Sequence, residues 1–322
     1  MIKKIKNNKK ISMPRLNFII FAVIIAAAAF LAGSLSAKIT TNQTSSVSAV
    51  AFEPSAEEKS TFKFFTMSFC PYGNQAEEAL APVVDLLGEE ANIETHYIFS
   101  RVDDINGFCT PRIYSQASCQ EYITQGYFQT QAECKAQFVD SLAECKNKYL
   151  LEKDGVAYSA LHGRGELNQN VREICAAKNT PSQKAWWDFV LSVNQDCNSE
   201  NVDNCWEPLA KKAGFDTEAI KLCFNEKAID IIESELAESD RYQAYGSPTF
   251  LVNGENFPPE AAYDQAGKAS LKIGKKVIEQ TQYRTSDTLK EAICAGFKKA
   301  PKACKTELSQ EDSTQAAAAG GC

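Results

Sequence analysis

Phe62-Lys63-Phe64-Phe65-Thr66-Met67-Ser68-Phe69-Cys70-Pro71-Tyr72-Gly73 is the stretch whose reading decides the fold. An apolar run of strand length ends in a cysteine and a Pro-x-Gly turn. Asn74 to Leu87 follows, with apolar residues at Ala76, Ala79, Leu80, Val83, Val84 and Leu87, the spacing of a helix with one buried stripe, and Gly88 ends it. Cys70 therefore falls at a helix N-terminus, where unpaired backbone N–H groups and the positive end of the helix dipole stabilise a thiolate. Pro71 suits the first helical position because it has no N–H to leave unpaired. The competing reading makes Cys70 a small buried hydrophobe or half of a structural bridge. A second sulfur three residues on would make a dithiol centre, but position 73 is Gly.

Ile93 to Phe99 reads as a second strand, so strand, helix and strand open the fold as a βαβ unit with a right-handed parallel crossover. Gly107 to Asp240, rich in Glu, Gln, Ala, Lys and Leu, reads as a long helical insertion. The sheet resumes at Gly246-Ser247-Pro248-Thr249-Phe250-Leu251-Val252-Asn253-Gly254, a β-rich run closed by an Asn-Gly turn. A last helix is expected from Ser286 to Lys299, capped by Ser286 or Asp287. Between them, Glu255 to Gln282 has Ala and Lys at helical spacing and reads as an insertion. The fold class is α/β.

The 322 residues are 44% hydrophobic, enough for a full core. Twelve cysteines point to an oxidising compartment and a set of bridges. Paired Cys-x-x-Cys spacings are absent and the histidines are two, His96 and His162, so neither a zinc module nor a His-rich metal centre is expected, and no cofactor is implied. The first fifteen residues carry six basic side chains and no acid, and an apolar run from Leu16 to Leu35 follows. That is an export signal long enough to span a bilayer, with the basic flank in the cytoplasm. Residues 1–37 are thus expected as a single-pass signal-anchor that leaves the folded part extracytoplasmic, or as a signal cleaved near Ala32–Ala37 to give a secreted chain. Residues 38–60 read as a flexible linker and 306–322 as a disordered tail. Setting the six leader cations aside leaves 28 basic against 41 acidic residues, near −13. Nucleic acid is a poor partner for such a chain.

His162-Gly163-Arg164-Gly165-Glu166-Leu167-Asn168-Gln169-Asn170 with Cys175 resembles the signature of the gamma-interferon-inducible lysosomal thiol reductase family, Cys-Gln-His-Gly-x-x-Glu-Cys-x-x-Asn-x-x-x-x-Cys. His162, Gly163, Glu166, Asn170 and Cys175 match, while Ala160 and Leu167 stand where the signature has cysteines. The stretch from Trp186-Trp187-Asp188-Phe189, with Ile293-Cys294-Ala295-Gly296-Phe297, also resembles the luminal thioredoxin-like part of plant vacuolar sorting receptors. The first resemblance covers most of 61–305 and implies a thioredoxin-like fold, here with a large disulfide-bridged helical insertion at about 107–240. It implies an attacking thiol at Cys70, a cis-proline at Pro248 and pairs Cys197–Cys205 and Cys294–Cys304, both closing short loops, with Cys175–Cys223 a third pair. The ordinary alternative for Pro248 is a trans proline entering an edge strand. Cys109, Cys119, Cys134 and Cys145 are expected to pair among themselves in one of three ways.

These readings make the chain a membrane-tethered thiol-disulfide exchange protein with one active-site cysteine, Cys70, and a groove formed by Pro248, Ser247, Phe69 and Tyr72. Its partners would be a disulfide-containing protein or peptide and an external thiol reductant. Gly73 removes the internal release step, so an adduct on Cys70 needs either that external thiol or Cys322, which is left over when ten cysteines form five pairs. The alternative function is a redox-inactive module that holds a peptide in the same groove. Glu166 and Asn170, four apart on one helical face, can brace a loop, with His162 bridging backbone groups, and a direct acid–base role for His162 requires it to reach Cys70.

Overall fold

The computed structural model describes residues 49–262, 270–279, 283–309 and 322. The Leu16–Leu35 run lies outside these residues, as do residues 310–321 of the expected tail. Among the described residues no helix is long and apolar enough to cross a membrane.

Strand β1 (Val50–Ala51) precedes β2 (Thr61–Thr66), which leads into helix α1 (Pro71–Leu87) and strand β3 (Asn92–Tyr97). After the middle of the chain come β7 (Thr249–Val252) and β8 (Glu255–Phe257), then a terminal helix described below. The central sheet has the order β3-β2-β7-β8. β2 and β3 are parallel, Phe64 opposite Thr95, whereas β7 is antiparallel to β2, Phe64 opposite Phe250, and β8 antiparallel to β7. Parallel pairing follows from the helical crossover, and the β7–β8 hairpin from Asn253-Gly254, both at positive φ (50° and 85°) as a two-residue hairpin turn requires. This order, with a cysteine at the first helix's N-terminus and a cis Ser247–Pro248 bond before β7, is the thioredoxin-like arrangement.

Alternation along β2 sends Phe62 and Phe64 to one face, where they stack on Phe250 in the main core, and Phe65 to the other. There Phe65 joins Met67, Cys70, Ile98, Ala244 and Leu251 in a small separate cluster. Both faces of the strand are covered, which is why it reads as nearly continuous hydrophobic sequence.

Strand β4 (Ser100–Val102) opens the inserted region, followed by short helices α2 (Ile105–Cys109), α3 (Gln116–Thr124), α4 (Gln131–Lys135) and α5 (Leu142–Tyr149). Their apolar core is small: Val102, Val139, Leu150 and Ala157 around the buried Cys109 and Cys145. Disulfides Cys109–Cys145 and Cys119–Cys134 hold them, closing sequence separations of 36 and 15. Each contributes about 3 kcal/mol in the chain-entropy picture, where so few apolar contacts are available. Four longer helices follow: α6 (Arg164–Lys178), α7 (Gln183–Asp196), α8 (Val202–Lys212) and α9 (Thr217–Tyr242). Cys175–Cys223 ties α6 to α9, and Cys197–Cys205 ties the end of α7 to α8.

The insertion is not helical throughout. Strands β5 (Leu151–Lys153) and β6 (Val156–Ser159) form a hairpin that pairs with β4. Its turn, Asp154-Gly155, has φ of 52° and 83°, so the Asp-Gly pair imposed a hairpin on a stretch whose composition suggests helix. Glu255–Gln282 likewise departs from its helical spacing: β8, β9 (Ser270–Ile273) and β10 (Lys276–Glu279) fall within it. The expected linker ends early, because β1 pairs in parallel with β9 at Val50–Leu271 and buries Phe52 against Phe257. Helix α10 (Ser286–Ala295) is shorter than the expected 286–299 and is capped by Thr285, whose side chain accepts from Thr288 N, rather than by Ser286 or Asp287. It packs beside α1, and Cys294–Cys304 anchors the turn after it.

Candidate functional site

Cys70 is the N-cap of α1, wholly buried, and Gly73 N–H points at its sulfur at 3.4 Å. Its Sγ is bonded to Cys322, with the two Cα atoms 6.0 Å apart. Ser247 lies against the pair: its carbonyl oxygen is 3.4 Å from Cys70 Sγ, and its backbone exchanges two hydrogen bonds with Cys322. Pro248 follows in the cis form, and Tyr72 packs into the same small cluster as Cys70 and Cys322. Ser247 thus touches the sulfur, with Pro248 next to it in the chain and Tyr72 in the surrounding cluster. Phe69 does not: its side chain packs against the main core, because its backbone is held from the α6 side, and only its position in the loop bears on the site.

Gly73 is tightly enclosed. A Cβ there would sit 2.5 Å from Thr66 Oγ1 and 2.6 Å from Ser247 Oγ. These hydroxyls face each other at 3.3 Å, and Ser247 Oγ also accepts Met67 N–H at 3.2 Å. The place where a second helical sulfur would begin is filled by hydrogen-bonded side chains. Gly73→Cys alone is therefore expected to cost about 1–3 kcal/mol, as overpacking does, and Thr66→Ala in the same chain should recover part of the loss. Denaturant midpoints of the two variants check this; a single variant as stable as wild type would refute the enclosure.

The loop between β2 and α1 is held by the resemblance motif on α6. Glu166 Oε1 accepts Phe69 N–H at 3.0 Å, and Asn170 Oδ1 accepts both Ser68 N–H at 3.0 Å and Ser68 Oγ at 2.7 Å. Glu173 accepts Ser68 Oγ at 3.1 Å and the Tyr97 hydroxyl. His162 bridges its own backbone N–H to Glu166 Oε2 and its Nδ1 to Glu166 Oε1, at 2.9 and 2.7 Å. Bonding to the Glu166 carboxylate raises the His162 pKa against the pull of burial. The motif therefore positions the cysteine loop through backbone groups, the bracing role open to it in the sequence.

Glu173, Gln169 and Glu77 carry further parts of this network, which residue-by-residue reading missed. Glu166, Gln169, Asn170 and Glu173 are all fully buried at i, i+3, i+4 and i+7 of α6. That is the stripe of a core-facing helix written in polar residues. Burial pushes Glu173 up to about 7 despite the Tyr97, Gln169 and Ser68 hydrogen bonds that favour its charge. Glu77, on α1 one turn beyond Gly73, is raised well above the carboxylate range by burial and by Glu173, and Asn194 donates to it. A cleft of about 280 Å³ opens beside the disulfide, lined among others by Met67, Ile98, Arg101, Phe108, Tyr245 and Cys322. Tyr245 and Leu161 on its rim are 62% and 59% exposed, apolar surface next to the sulfur pair.

The model of the vacuolar sorting receptor thioredoxin-like domain matches residues 103–258, a span that holds the insertion and Pro248 but not Cys70. A comparison with curated proteins finds no match. Among solved structures, the chain is similar to the reduced disulfide bond oxidoreductase DsbG of Mycobacterium tuberculosis, with 14% identity over 82% of this chain and 92% of that one and a TM-score of 0.38. Oxidised BdbD of Bacillus subtilis matches at 13% identity over 76% and 96%, TM-score 0.37. A thioredoxin-like oxidoreductase from Silicibacter pomeroyi DSS-3 matches at 15% identity over 63% and 79%, TM-score 0.34.

Proposed function

We propose that this chain is an extracytoplasmic thiol-disulfide exchange protein, tethered by residues 1–37, whose attacking group is the Cys70 thiolate and whose substrates are disulfide-bearing proteins or peptides. The observation that carries the reading is a disulfide on the N-cap sulfur of α1, lying against the backbone of the residue before a cis-proline. A thiolate at Cys70 faces the Gly73 N–H and the α1 dipole once the bond opens, which makes it both a nucleophile and a good leaving group. Ser247 offers one N–H and one C=O to an extended peptide, so a substrate can add as a short strand with its sulfur toward Cys70. The resemblance to thiol reductases through His162, Glu166 and Asn170 supports the same reading, since those residues hold the Cys70 loop.

The test is insulin reduction by small thiols, with the full chain extracted from alkali-washed membranes, comparing wild type with Cys70→Ser. Wild type is expected in the membrane fraction and active, and Cys70→Ser at background. Equal rates for both would end the exchange reading. A second reading, a module that binds peptides without turnover, is favoured by the receptor-domain match that includes Pro248 but stops short of Cys70. It requires peptide retention by Cys70→Ser with no exchange by wild type.

A further inference from the structure

We infer that Cys322 is the second sulfur of the redox pair, delivered through the peptide groove instead of from position 73 of the helix. This assignment rests on the thiol-exchange reading of Cys70. Three independent observations lead to it. Cys322 N–H donates to Ser247 O at 2.9 Å and Ser247 N–H donates to Cys322 O at 3.2 Å, a reciprocal backbone pair of the kind an incoming peptide would form. The Gly73 position is closed to a sulfur by Thr66 Oγ1 and Ser247 Oγ, so the helix cannot supply one without repacking. The other ten cysteines are bonded to one another in five pairs, four of them joining segments of the insertion and one tying the end of α10 to the segment after it. Cys322, 252 residues from Cys70 in sequence, is bonded to the one cysteine that caps a helix beside a cis-proline.

Reduced Cys70, as thiolate, attacks a substrate disulfide R–S–S–R′, forming Cys70–S–S–R and releasing R′–S⁻. Cys322 thiolate then attacks the Cys70 sulfur, forming Cys70–Cys322 and releasing R–S⁻; solvent protonates both products. Two electrons pass from the Cys70/Cys322 pair to the substrate, and two equivalents of a small thiol such as glutathione restore the pair while becoming a disulfide. Ser247 has a single N–H and a single C=O to offer. Substrate backbone must therefore leave Ser247 as Cys322 takes it, which makes release of the product and resolution of the adduct one event. The same competition means that the oxidised resting state, with Cys322 in the groove, excludes substrate until the pair is reduced.

The experiment uses the full chain, reduced mildly until mass analysis shows only Cys70–Cys322 opened, then mixed with 5,5′-dithiobis(2-nitrobenzoate). Wild type should release about two arylthiolates per chain and retain no aryl adduct, whereas Cys322→Ser should release about one and keep the other on Cys70. In a single turnover of the pre-reduced chain with insulin, wild type should release the reduced product without glutathione, whereas release by Cys322→Ser should depend on it. A tethered thiol acts at millimolar effective concentration, so at about 0.1 mM glutathione that release should run about tenfold slower in the variant than in wild type and recover as glutathione is raised. Retention of the aryl group by wild-type Cys70, or equal release by Cys322→Ser at low glutathione, would overturn the Cys322 assignment alone. A Cys70 that releases no arylthiolate in either protein would overturn the exchange reading itself.

Discussion

Glu166→Ala should lower the folding stability by about 3 kcal/mol and slow alkylation of reduced Cys70, because it orphans two backbone N–H groups, each costing about 1–3 kcal/mol when left unpaired. Those groups belong to Phe69, immediately before Cys70, and to His162. The carboxylate that serves them is fully buried, and the His162 ring held against it would lose its partner as well. Phe69 is one bond from Cys70, so loss of its anchor frees the loop that aims the sulfur at Ser247. Glu166→Gln keeps an acceptor oxygen for only one of these two N–H groups and should lose about half as much, the cost of the other left unpaired. Urea midpoints at unchanged slope give the stability, and the alkylation rate of Cys70 after mild reduction gives the positioning. A loss for Glu166→Ala within about 0.5 kcal/mol, as for an indifferent surface site, would show that the brace is ornamental.

Stability should be greatest near about pH 4.5 and fall across neutrality. The groups with raised values in the folded chain set that direction. Glu173 is pushed up by burial from 4.5 to about 7, so the folded state holds a proton there that the unfolded state gives up. Its contribution is present below 4.5 and is lost as pH rises to about 7. With each pKa unit worth about 1.4 kcal/mol, the loss is of order 3 kcal/mol. Glu77 acts in the same sense. His96 continues the trend: burial alone would lower it, but its bonds to Glu235 and Glu94 win and carry it from 6.5 to about 9. Stability held by that imidazolium is present below 6.5 and lost toward 9.

On the acid side the sign reverses. Glu94, bonded to His96 and Lys63, is lowered to about 2, and so is Asp287, where the Lys276 and Lys290 bonds outweigh burial. Their contribution is lost as pH falls toward 2. Thermal melts from pH 3 to 9 at fixed ionic strength would show the maximum, and Glu173→Gln, neutral at every pH, should flatten the limb between about 4.5 and 7. A maximum at pH 7 to 8 in wild type, or an unchanged limb in Glu173→Gln, would contradict this account.

How much of this was legible depends on the range over which each signal acts. The βαβ opening was readable from Phe62 to Phe99 because strand alternation, the α1 stripe and Gly88 are local. Asn253-Gly254 announced its hairpin; Asp154-Gly155 carried the same chemistry but was overshadowed by the helix-favouring composition around it. The α6 stripe of Glu166, Gln169, Asn170 and Glu173 had the right period, yet hydropathy assigns such residues to solvent. The burial of Glu166, Asn170 and Glu173 follows from the cysteine loop whose groups their oxygens accept, a partner 97 to 105 residues away. Phe69 illustrates the converse: adjacency to Cys70 suggested a groove residue, but its side chain turns to the main core.

The sequence by itself determined the elements and the chemistry on offer: a cysteine at a helix N-terminus, a proline ahead of the third core strand, no thiol at position 73 and an even set of cysteines. These rest on turn residues, periodicity and composition, which act over a few residues. Only the tertiary structure decided which sulfur faces Cys70, what fills the space beside Gly73 and which carboxyls lose their water. Each of those depends on distances between segments as much as 252 residues apart, and disulfide choice, close packing and desolvation are settled by such distances alone.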